Sequence, residues 1–269
     1  MKSWDKFLDE NIDKKAILVE GKYDYDPFAN FFVKKSPEWE RNFVIVAVGN
    51  KRKVLEKLKH KSVAFGIVDN DTWGKEEIKK AKDEHGENLF VIPRYCMENY
   101  IVIPKEIKVA LPPEKRDVVE FSKILKNLEK WKTHAALWRA VTPLWSGLVS
   151  LNFNQALLPE NISEIPTESA IKSKLKEWNS VLDIDKTLEK FEEEKERFFK
   201  MDNNEFIKIH VHGKHFFDNE IFPIVSAAYD QLEKKEMGKK EMGKKEIKKG
   251  LFQNISLPED LQPIFNKLG

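Results

Sequence analysis

The 269-residue sequence is poor in cysteine and has no long hydrophobic run. Its single cysteine, Cys96, cannot form an internal disulfide, and the first residues lack the apolar core of a signal peptide. No stretch approaches the roughly 18 uninterrupted apolar residues that a membrane helix needs, because charged residues recur throughout. We therefore expect a cytoplasmic protein that does not span a membrane.

An excess of charge of one sign is also lacking. The chain has 47 basic and 45 acidic side chains and a formal net charge of +2. No overall field therefore draws the protein toward nucleic acid, and any binding face must be local. The length exceeds that of one typical domain, and we prefer two domains to one large one.

Two familiar catalytic motifs are missing. The sequence has no Gly-x-Ser-x-Gly nucleophile elbow, which argues against a Ser/His/Asp hydrolase. Gly213-Lys214 is not a Walker A loop, because Lys208 stands five positions before Gly213 and His215 follows Lys214. We find no ATP site elsewhere in the sequence.

What the sequence does have is a pair of acidic clusters, each at the end of an apolar run. Glu20 and Asp24 follow the run 16–19, and Asp69 and Asp71 follow the run 63–68. Short runs rich in Val and Ile predict buried parallel strands, whose carboxyl ends open onto a ligand crevice. Four converging carboxylates oppose one another's ionisation unless a cation lies among them. We therefore predict that all four bind Mg²⁺ or Mn²⁺, which prefer oxygen ligands.

Further strand and helix signals alternate in the first part of the chain. Segments 43–48 and 89–92 predict two more strands, and 51–60 and 75–85 have the helical spacing of crossovers between parallel strands. After Pro112 the pattern becomes mainly helical. We predict an α/β domain with a parallel sheet over residues 1–108 and a mainly helical region over 109–269, which would shape a substrate groove or dock a partner.

Three features of the second region carry specific predictions. Trp131, Trp138 and Trp145 share a helical face with a seven-residue spacing, which favours a buried stripe over a base-stacking platform, and Pro143 should end or kink that helix. The segment 206–214 alternates apolar and polar residues, which predicts a strand or extended segment.

Histidines and lysines in this region could bind ligands. Zinc at His210 and His212, with His215 and Asp218 nearby, is disfavoured, because zinc sites usually need three or four ligands and cysteine is lacking. The Lys-rich repeat 234–249 could bind phosphates, although a solvated helix extension or flexible loop is the preferred interpretation.

Together, the two strand-end motifs resemble the Toprim domain of topoisomerases, primases and nucleases of the overcoming-lysogenization-defect (OLD) type. In that pattern, one strand ends in Glu-Gly with an Asp four residues after the Glu, and another ends in Asp-x-Asp. Glu98-Asn99-Tyr100, followed by apolar residues, is similar to a motif of the Toprim-like DUF4435 family. That family includes effector nucleases of PARIS-type phage defence, which work with an ATPase partner.

The resemblance implies an activity and roles for further residues. It implies a nuclease that hydrolyses phosphodiester bonds in DNA or RNA, with Glu20 as metal ligand and possible general base. It points to Glu98 as a further ligand or general base, and to Lys214 of a late Gly-Lys as a contact to the cleaved phosphate. It also suggests an ATPase partner that restrains the activity.

Several alternatives stay open at this point. Lys22 and Arg94, beside the acidic residues, could bind phosphate or simply face solvent. Toprim chemistry could join or transfer strands, although one cysteine cannot build a primase zinc module. The chain could also be a non-catalytic Toprim-like module that binds nucleic acid or protein. The sequence does not specify the oligomeric state.

Overall fold

Four short hydrophobic runs form a single parallel sheet in the computed structural model. The structure describes residues 13–59, 64–71, 73–151, 167–233 and 243–268. The strands are β1 (Lys15–Val19), β2 (Phe43–Ala47), β3 (Ala64–Val68) and β4 (Leu89–Val91), and their order across the sheet is β2-β1-β3-β4. All three strand pairs are parallel, so the carboxyl ends of the strands meet at one edge. The predicted α/β class with a parallel sheet is confirmed.

Helices make up most of the remaining described chain. In order they are α1 (Tyr25–Lys35), α2 (Lys51–Leu58), α3 (Lys75–His85), α4 (Pro104–Ala110), α5 (Pro113–Arg116), α6 (Phe121–Ile124), α7 (Leu128–Ser150), α8 (Glu168–Val181), α9 (Ile184–Lys200), α10 (Asn203–His210), α11 (Gly213–Phe216), α12 (Phe222–Glu233), α13 (Lys244–Asn254) and α14 (Gln262–Leu268). A π-helical turn, Phe217–Ile221, joins α11 to α12. No helix in the described part of the chain is both long and apolar enough to cross a membrane.

The first crossovers follow the sequence pattern closely. Helices α2 and α3 lie where helical spacing predicts them, and Asn50 caps α2 by accepting a hydrogen bond from the Lys53 backbone N–H at 2.9 Å. Gly49 has a positive φ of 115°, which explains the glycine at the turn that ends β2. Gly66 in β3 lies close to α2, because a Cβ there would meet side chains of that helix at 2.7 Å.

The chain divides into two compact units. One contains residues 1–126 and 207–269, and the other contains 127–206. The described C-terminal helices α13 and α14 therefore belong to the same unit as the sheet, whereas the sequence grouped them with the second region. Phe31 of α1 makes edge-to-face contacts with Phe252 and Phe265 at centroid distances of 6.4 and 6.1 Å, which helps to hold these helices.

The predicted strand over 206–214 is wrong. Residues 203–210 form α10, and a further helix begins at Gly213. Ile207 and Val211 are both fully buried and lie four residues apart, so this segment also carries a helical pattern. Helical packing of those side chains overrides the local alternation.

The second unit departs from prediction at its tryptophans. Helix α7 continues seven residues beyond Pro143, so the proline does not end it. Trp138 and Trp145 are 40% and 55% exposed, which contradicts the predicted buried stripe. The buried residues of α7 are instead Leu128, Lys132 and three alanines, namely Ala135, Ala136 and Ala140.

Candidate functional site

Glu20 connects the ends of two neighbouring strands at the carboxyl edge of the sheet. It directly follows β1, and its carboxylate Oε1 accepts a hydrogen bond from the backbone N–H of Asp69 at 2.9 Å, immediately after β3. Burial raises the pKa of Glu20, and the nearby charges of Asp71 and Asp24 act in the same direction. Glu20 and Asp69 therefore lie at the same edge of the sheet, as the sequence predicts.

Asp24 faces the same cluster from the start of α1. Its Oδ2 accepts a hydrogen bond from the Gly21 backbone N–H at 2.7 Å, which turns the side chain back over the loop that follows β1. Burial raises the pKa of Asp24 to about 6, and the charge of Glu98 adds to this effect. The carboxyl group is therefore in an environment that disfavours its ionised form.

Asp69, directly after β3, is a third acid of the cluster. Burial raises its pKa well above the ordinary range, and the charges of Asp24 and Glu20 raise it further. Its Oδ1 accepts a hydrogen bond from the Met97 backbone N–H at 3.1 Å. This bond joins the end of β3 to the segment that contains Glu98.

Asp71 has a left-handed backbone conformation, with a φ of 52°. Aspartate tolerates this conformation better than most residues, and the Asp71 N–H donates a 2.7 Å hydrogen bond to the Tyr95 carbonyl oxygen. Its carboxylate forms an ion pair with Lys51, with 2.8 Å between Nζ and Oδ2. Such conformations persist only where the surrounding structure holds them in place, and they are frequent at functional sites.

Glu98 completes the acidic cluster from the 3₁₀ turn Met97–Tyr100. Its carboxylate pairs with the ammonium group of Lys248 on α13. Burial opposes ionisation of Glu98, but the charge and hydrogen bond of Lys248 outweigh it and lower the carboxyl pKa. Glu98 is thus held in its ionised form.

Asn99, next to Glu98, fixes the position of the Gly213-Lys214 segment. Its Nδ2 donates hydrogen bonds to the carbonyl oxygens of Ile207 and Val211, at 2.6 and 3.0 Å. A Cβ on Gly213 would lie 2.4 Å from the Asn99 side-chain oxygen, so only glycine fits there without rearrangement. Lys214, the second residue of α11, therefore lies beside the segment of Glu98 and Asn99, with an exposed side chain.

Two lysines in the cluster were not identified from the sequence. Lys51 is the first residue of α2 and directly follows the Gly49-Asn50 turn, so its place at the end of β2 was a usable signal. Lys248 lies in the Lys-rich repeat, whose described part begins at residue 243. Nothing in its neighbourhood distinguishes it from the other lysines of that repeat.

Arg94 does not have the role that the sequence suggested. Its guanidinium binds both carboxylate oxygens of Glu106, at 2.6 and 2.8 Å, and its Nε donates to Asp260 at 2.9 Å. The residue is only 5% exposed, so this buried network uses the donors that a phosphate would need. Lys22, in contrast, is exposed, and its Nζ lies 5.0 Å from the centroid of the Tyr23 ring.

The histidines do not share a strand face: His210 ends α10, His212 precedes α11, and His215 lies within α11. The rings of His212 and His215 stack with 4.1 Å between centroids. Burial lowers the pKa of His212, with His215 acting in the same direction, whereas the charges of Glu98 and Asp71 raise it. His212 is thus within electrostatic reach of the acidic cluster.

The side chains of the cluster are not arranged as a finished metal site. Within the ranges that the structure describes, no three or more His, Cys, Asp or Glu side chains are placed to hold a metal ion. Three of the carboxylates accept hydrogen bonds from backbone N–H groups, and two pair with lysines. The donor chemistry itself, carboxylate oxygens only, is that preferred by Mg²⁺ and Mn²⁺.

Comparison with known proteins does not add a family to these observations. No protein-family model matches the chain, and no curated protein matches it. The functional argument therefore depends on the geometry of the acidic cluster.

Proposed function

We propose that this protein is a divalent-metal-dependent nuclease of Toprim-like fold that hydrolyses phosphodiester bonds in DNA or RNA. The observation that carries the proposal is the gathering of five acidic side chains from three separate segments at the carboxyl edge of a parallel sheet. In sheets of this kind the ligand crevice opens at that edge. The resemblance to DUF4435 and OLD-type nucleases points to the same reaction.

The residues fit a hard cation by their chemistry. Glu20, Asp24 and Asp69 all have carboxyl pKa values raised by burial and by one another's charges, so a positive ion among them would relieve an existing electrostatic cost. When bound there, Mg²⁺ or Mn²⁺ supplies Lewis-acid polarisation of a phosphoryl group and lowers the pKa of the attacking water.

The residues of the chain have separate tasks in this proposal. Glu20, Asp24 and Asp69 hold the cation, with Asp71 as a further candidate ligand, and Glu20 is also a possible general base. Lys214 and Lys22 are exposed and would contact the substrate phosphates as point charges. By the same resemblance, an ATPase partner would restrain the activity. The proposed location, from the sequence composition, is the cytoplasm.

The test is cleavage of defined nucleic acids. The protein is incubated with supercoiled plasmid, single-stranded DNA, total RNA and tRNA over a series of Mg²⁺ and Mn²⁺ concentrations. We expect cleavage of at least one substrate, and its loss by about 100-fold or more in Glu20→Gln, because that change removes a charge from the cation site. Glutamine can still accept the hydrogen bond from the Asp69 N–H, so the fold should persist.

The matched control is Glu76→Gln, an exposed acid in the first turn of α3, which should leave cleavage unchanged. Circular dichroism checks that both variants are folded. Absence of metal-dependent cleavage with every substrate would contradict the proposal, as would full activity in Glu20→Gln.

A second candidate function is a non-catalytic Toprim-like interaction module. The ion pairs Lys51–Asp71 and Lys248–Glu98 favour it, because they already neutralise part of the cluster without a metal. This function predicts binding of fluorescent oligonucleotides or of a protein partner, with no cleavage at any metal concentration. The same incubation series therefore separates the two functions.

A further inference from the structure

A cavity of about 630 Å³ lies within the compact unit that contains the sheet. Tyr100, at the end of the turn that carries Glu98, lines it together with residues of α4, with Lys208 of α10 and with most of the segment 255–262. The described residues that line it include none of the five acids of the candidate site. Its volume is in the range of pockets that enclose a small organic ligand. It is therefore a second candidate site, separate from the acidic cluster.

Two residues in the wall of this cavity each have a buried polar atom without a hydrogen-bond partner among the described residues. These atoms are the hydroxyl oxygen of Tyr100 and Oδ1 of Asp260. Tyr100 is only 1% exposed, and burial, together with the charge of Asp260, raises the pKa of its hydroxyl group, which keeps its proton as a donor. Oδ2 of Asp260 already accepts a hydrogen bond from Nε of Arg94, which leaves Oδ1 as a free acceptor. Because unpaired buried polar groups are costly, they indicate a ligand that supplies an acceptor for one and a donor for the other.

Two lysines in the wall have no ion pair within the described part of the chain. Lys105 on α4 is exposed, and Lys208 on α10 is half-buried. The third basic residue of the wall, Arg94, is already bound to Glu106 and Asp260. Lysine ammonium groups bind phosphates as point charges, so the pair favours a ligand with an anionic group such as a phosphate.

The rest of the wall is largely apolar. Val109 of α4 is 60% exposed although its side chain is aliphatic. The segment after α13 adds three further apolar side chains, namely Ile255, Leu257 and Pro258. An apolar wall with a few polar groups is typical of small-molecule sites. The ligand therefore needs an apolar or planar body in addition to its anionic group and its donor and acceptor.

We propose that this cavity binds a nucleoside monophosphate. Its phosphate contacts Lys105 and Lys208. An edge of its base accepts a hydrogen bond from Tyr100 and donates one to Asp260. Nucleotides combine the required features, because the faces of a base are planar and its edges present N–H donors beside acceptors. The proposal goes beyond the nuclease function and uses neither the acidic cluster nor a metal.

The test is direct binding to the full chain by isothermal calorimetry in EDTA at low salt. The probes are AMP, GMP, CMP and UMP, with ribose 5-phosphate and inorganic phosphate as ligands that lack the base. We expect one molecule of at least one nucleotide to bind per chain, at least tenfold more tightly than ribose 5-phosphate. Binding of none of the four at millimolar concentration would overturn the proposal, as would equal affinity for the nucleotide and ribose 5-phosphate.

Tyr100→Phe tests the contact to the base. It removes only the hydroxyl group, while the ring can keep its edge-to-face contact with Phe31 and its contact with the Arg94 guanidinium, so the variant should fold. We expect about tenfold weaker nucleotide binding and unchanged binding of ribose 5-phosphate, because the variant lacks the donor to the base. A purely structural role for Tyr100 would leave this difference between the two ligands as in the wild type, and that result would overturn the assignment of the base.

Lys105→Met tests the contact to the phosphate at an exposed position, where loss of the fold is not expected. The affinity for both the nucleotide and ribose 5-phosphate should fall by about fivefold or more. The matched control is Lys108→Met, which is exposed on the same helix but does not line the cavity, and it should change neither affinity. Equal effects of the two substitutions would place the nucleotide elsewhere and overturn the proposal.

The result is independent of the proposed nuclease, because binding is measured without a metal. Cleavage of nucleic acid without nucleotide binding in EDTA would overturn this inference and leave the nuclease intact. Nucleotide binding that depends on Tyr100 and Lys105 would support the inference even if no nucleic acid is cleaved.

Discussion

Replacing Asp24 with asparagine should stabilise the metal-free protein, although Asp24 belongs to the proposed functional site. Burial and the charge of Glu98 raise the pKa of Asp24 to about 6, from an ordinary value of 3.8. At neutral pH the folded protein must therefore keep this carboxyl ionised in an environment that disfavours ionisation. Asparagine removes the charge, and its side-chain oxygen can still accept the 2.7 Å hydrogen bond from the Gly21 N–H.

The size of the effect follows from the two pKa values. Their difference is about 2 units, and one unit corresponds to about 1.4 kcal/mol, so ionised Asp24 lowers the free energy of unfolding by about 3 kcal/mol at pH 7. The substitution should recover most of this. It also relieves Asp69, whose carboxyl pKa is raised by burial and then by the charge of Asp24.

The pH dependence has a definite sign. A carboxyl whose pKa is raised on folding binds its proton more tightly in the folded state, so its stabilising contribution is complete below the unfolded pKa of 3.8. That contribution is lost as the pH rises through about 6. Asparagine does not titrate, so the stability difference between variant and wild type should be small near pH 4 and grow toward pH 7.

The assay is urea denaturation in EDTA between pH 4 and pH 7.5, followed by circular dichroism and tryptophan fluorescence. Asp26→Asn is the control, because Asp26 is exposed in the first turn of the same helix. It should bring no gain at any pH, since an acid there interacts favourably with the helix dipole. The reasoning fails if Asp24→Asn is no more stable than the wild type at pH 7, or if its gain does not depend on pH.

Four further substitutions test other parts of the structure by the same denaturation assay. Gly213→Ala should destabilise by about 1–3 kcal/mol, because its Cβ would lie 2.4 Å from the Asn99 side-chain oxygen. Gly250→Ala should stabilise by up to about 1 kcal/mol, since it lies within a helix and its Cβ would meet nothing within 4 Å. Arg94→Ala should cost about 3 kcal/mol, because it leaves the partly buried carboxylates of Glu106 and Asp260 without their guanidinium partner. Trp145→Ala should cost no more than about 1 kcal/mol, since this side chain is 55% exposed; a larger loss would indicate that another surface covers it.

The sheet and its crossovers could be predicted because their signals are local. Each strand is a short, mainly apolar run, and each of the crossover helices α2 and α3 has apolar residues at helical spacing between charges. Parallel pairing then places the ends of β1 and β3 at one edge, which brings Glu20 to within 2.9 Å of the Asp69 backbone nitrogen. Two local patterns and one topological rule are enough for that part of the site.

The errors arose where two patterns overlap or where packing selects the buried face. In the segment 206–214, alternation and helical spacing are both present, and burial of Ile207 and Val211 in a helical arrangement decides the outcome. In α7 the small residues Ala135 and Ala136 are buried, whereas Trp145 is exposed. Three of the buried residues of this helix are alanines, so hydrophobicity alone does not decide which side chains are buried.

Of the two lysines in the site, Lys51 could have been predicted from the sequence and Lys248 could not. Lys51 follows a predicted strand end, so the same topological rule that located Glu20 and Asp69 also applies to it. Lys248 is 150 residues from its partner Glu98, and it reaches the cluster because α13 packs on the sheet-containing unit, where Phe252 contacts Phe31 of α1. A carboxylate cluster indicates that positive charge is needed, but it does not say whether a metal or the chain supplies it. That division is set by long-range packing, which a local sequence pattern does not contain.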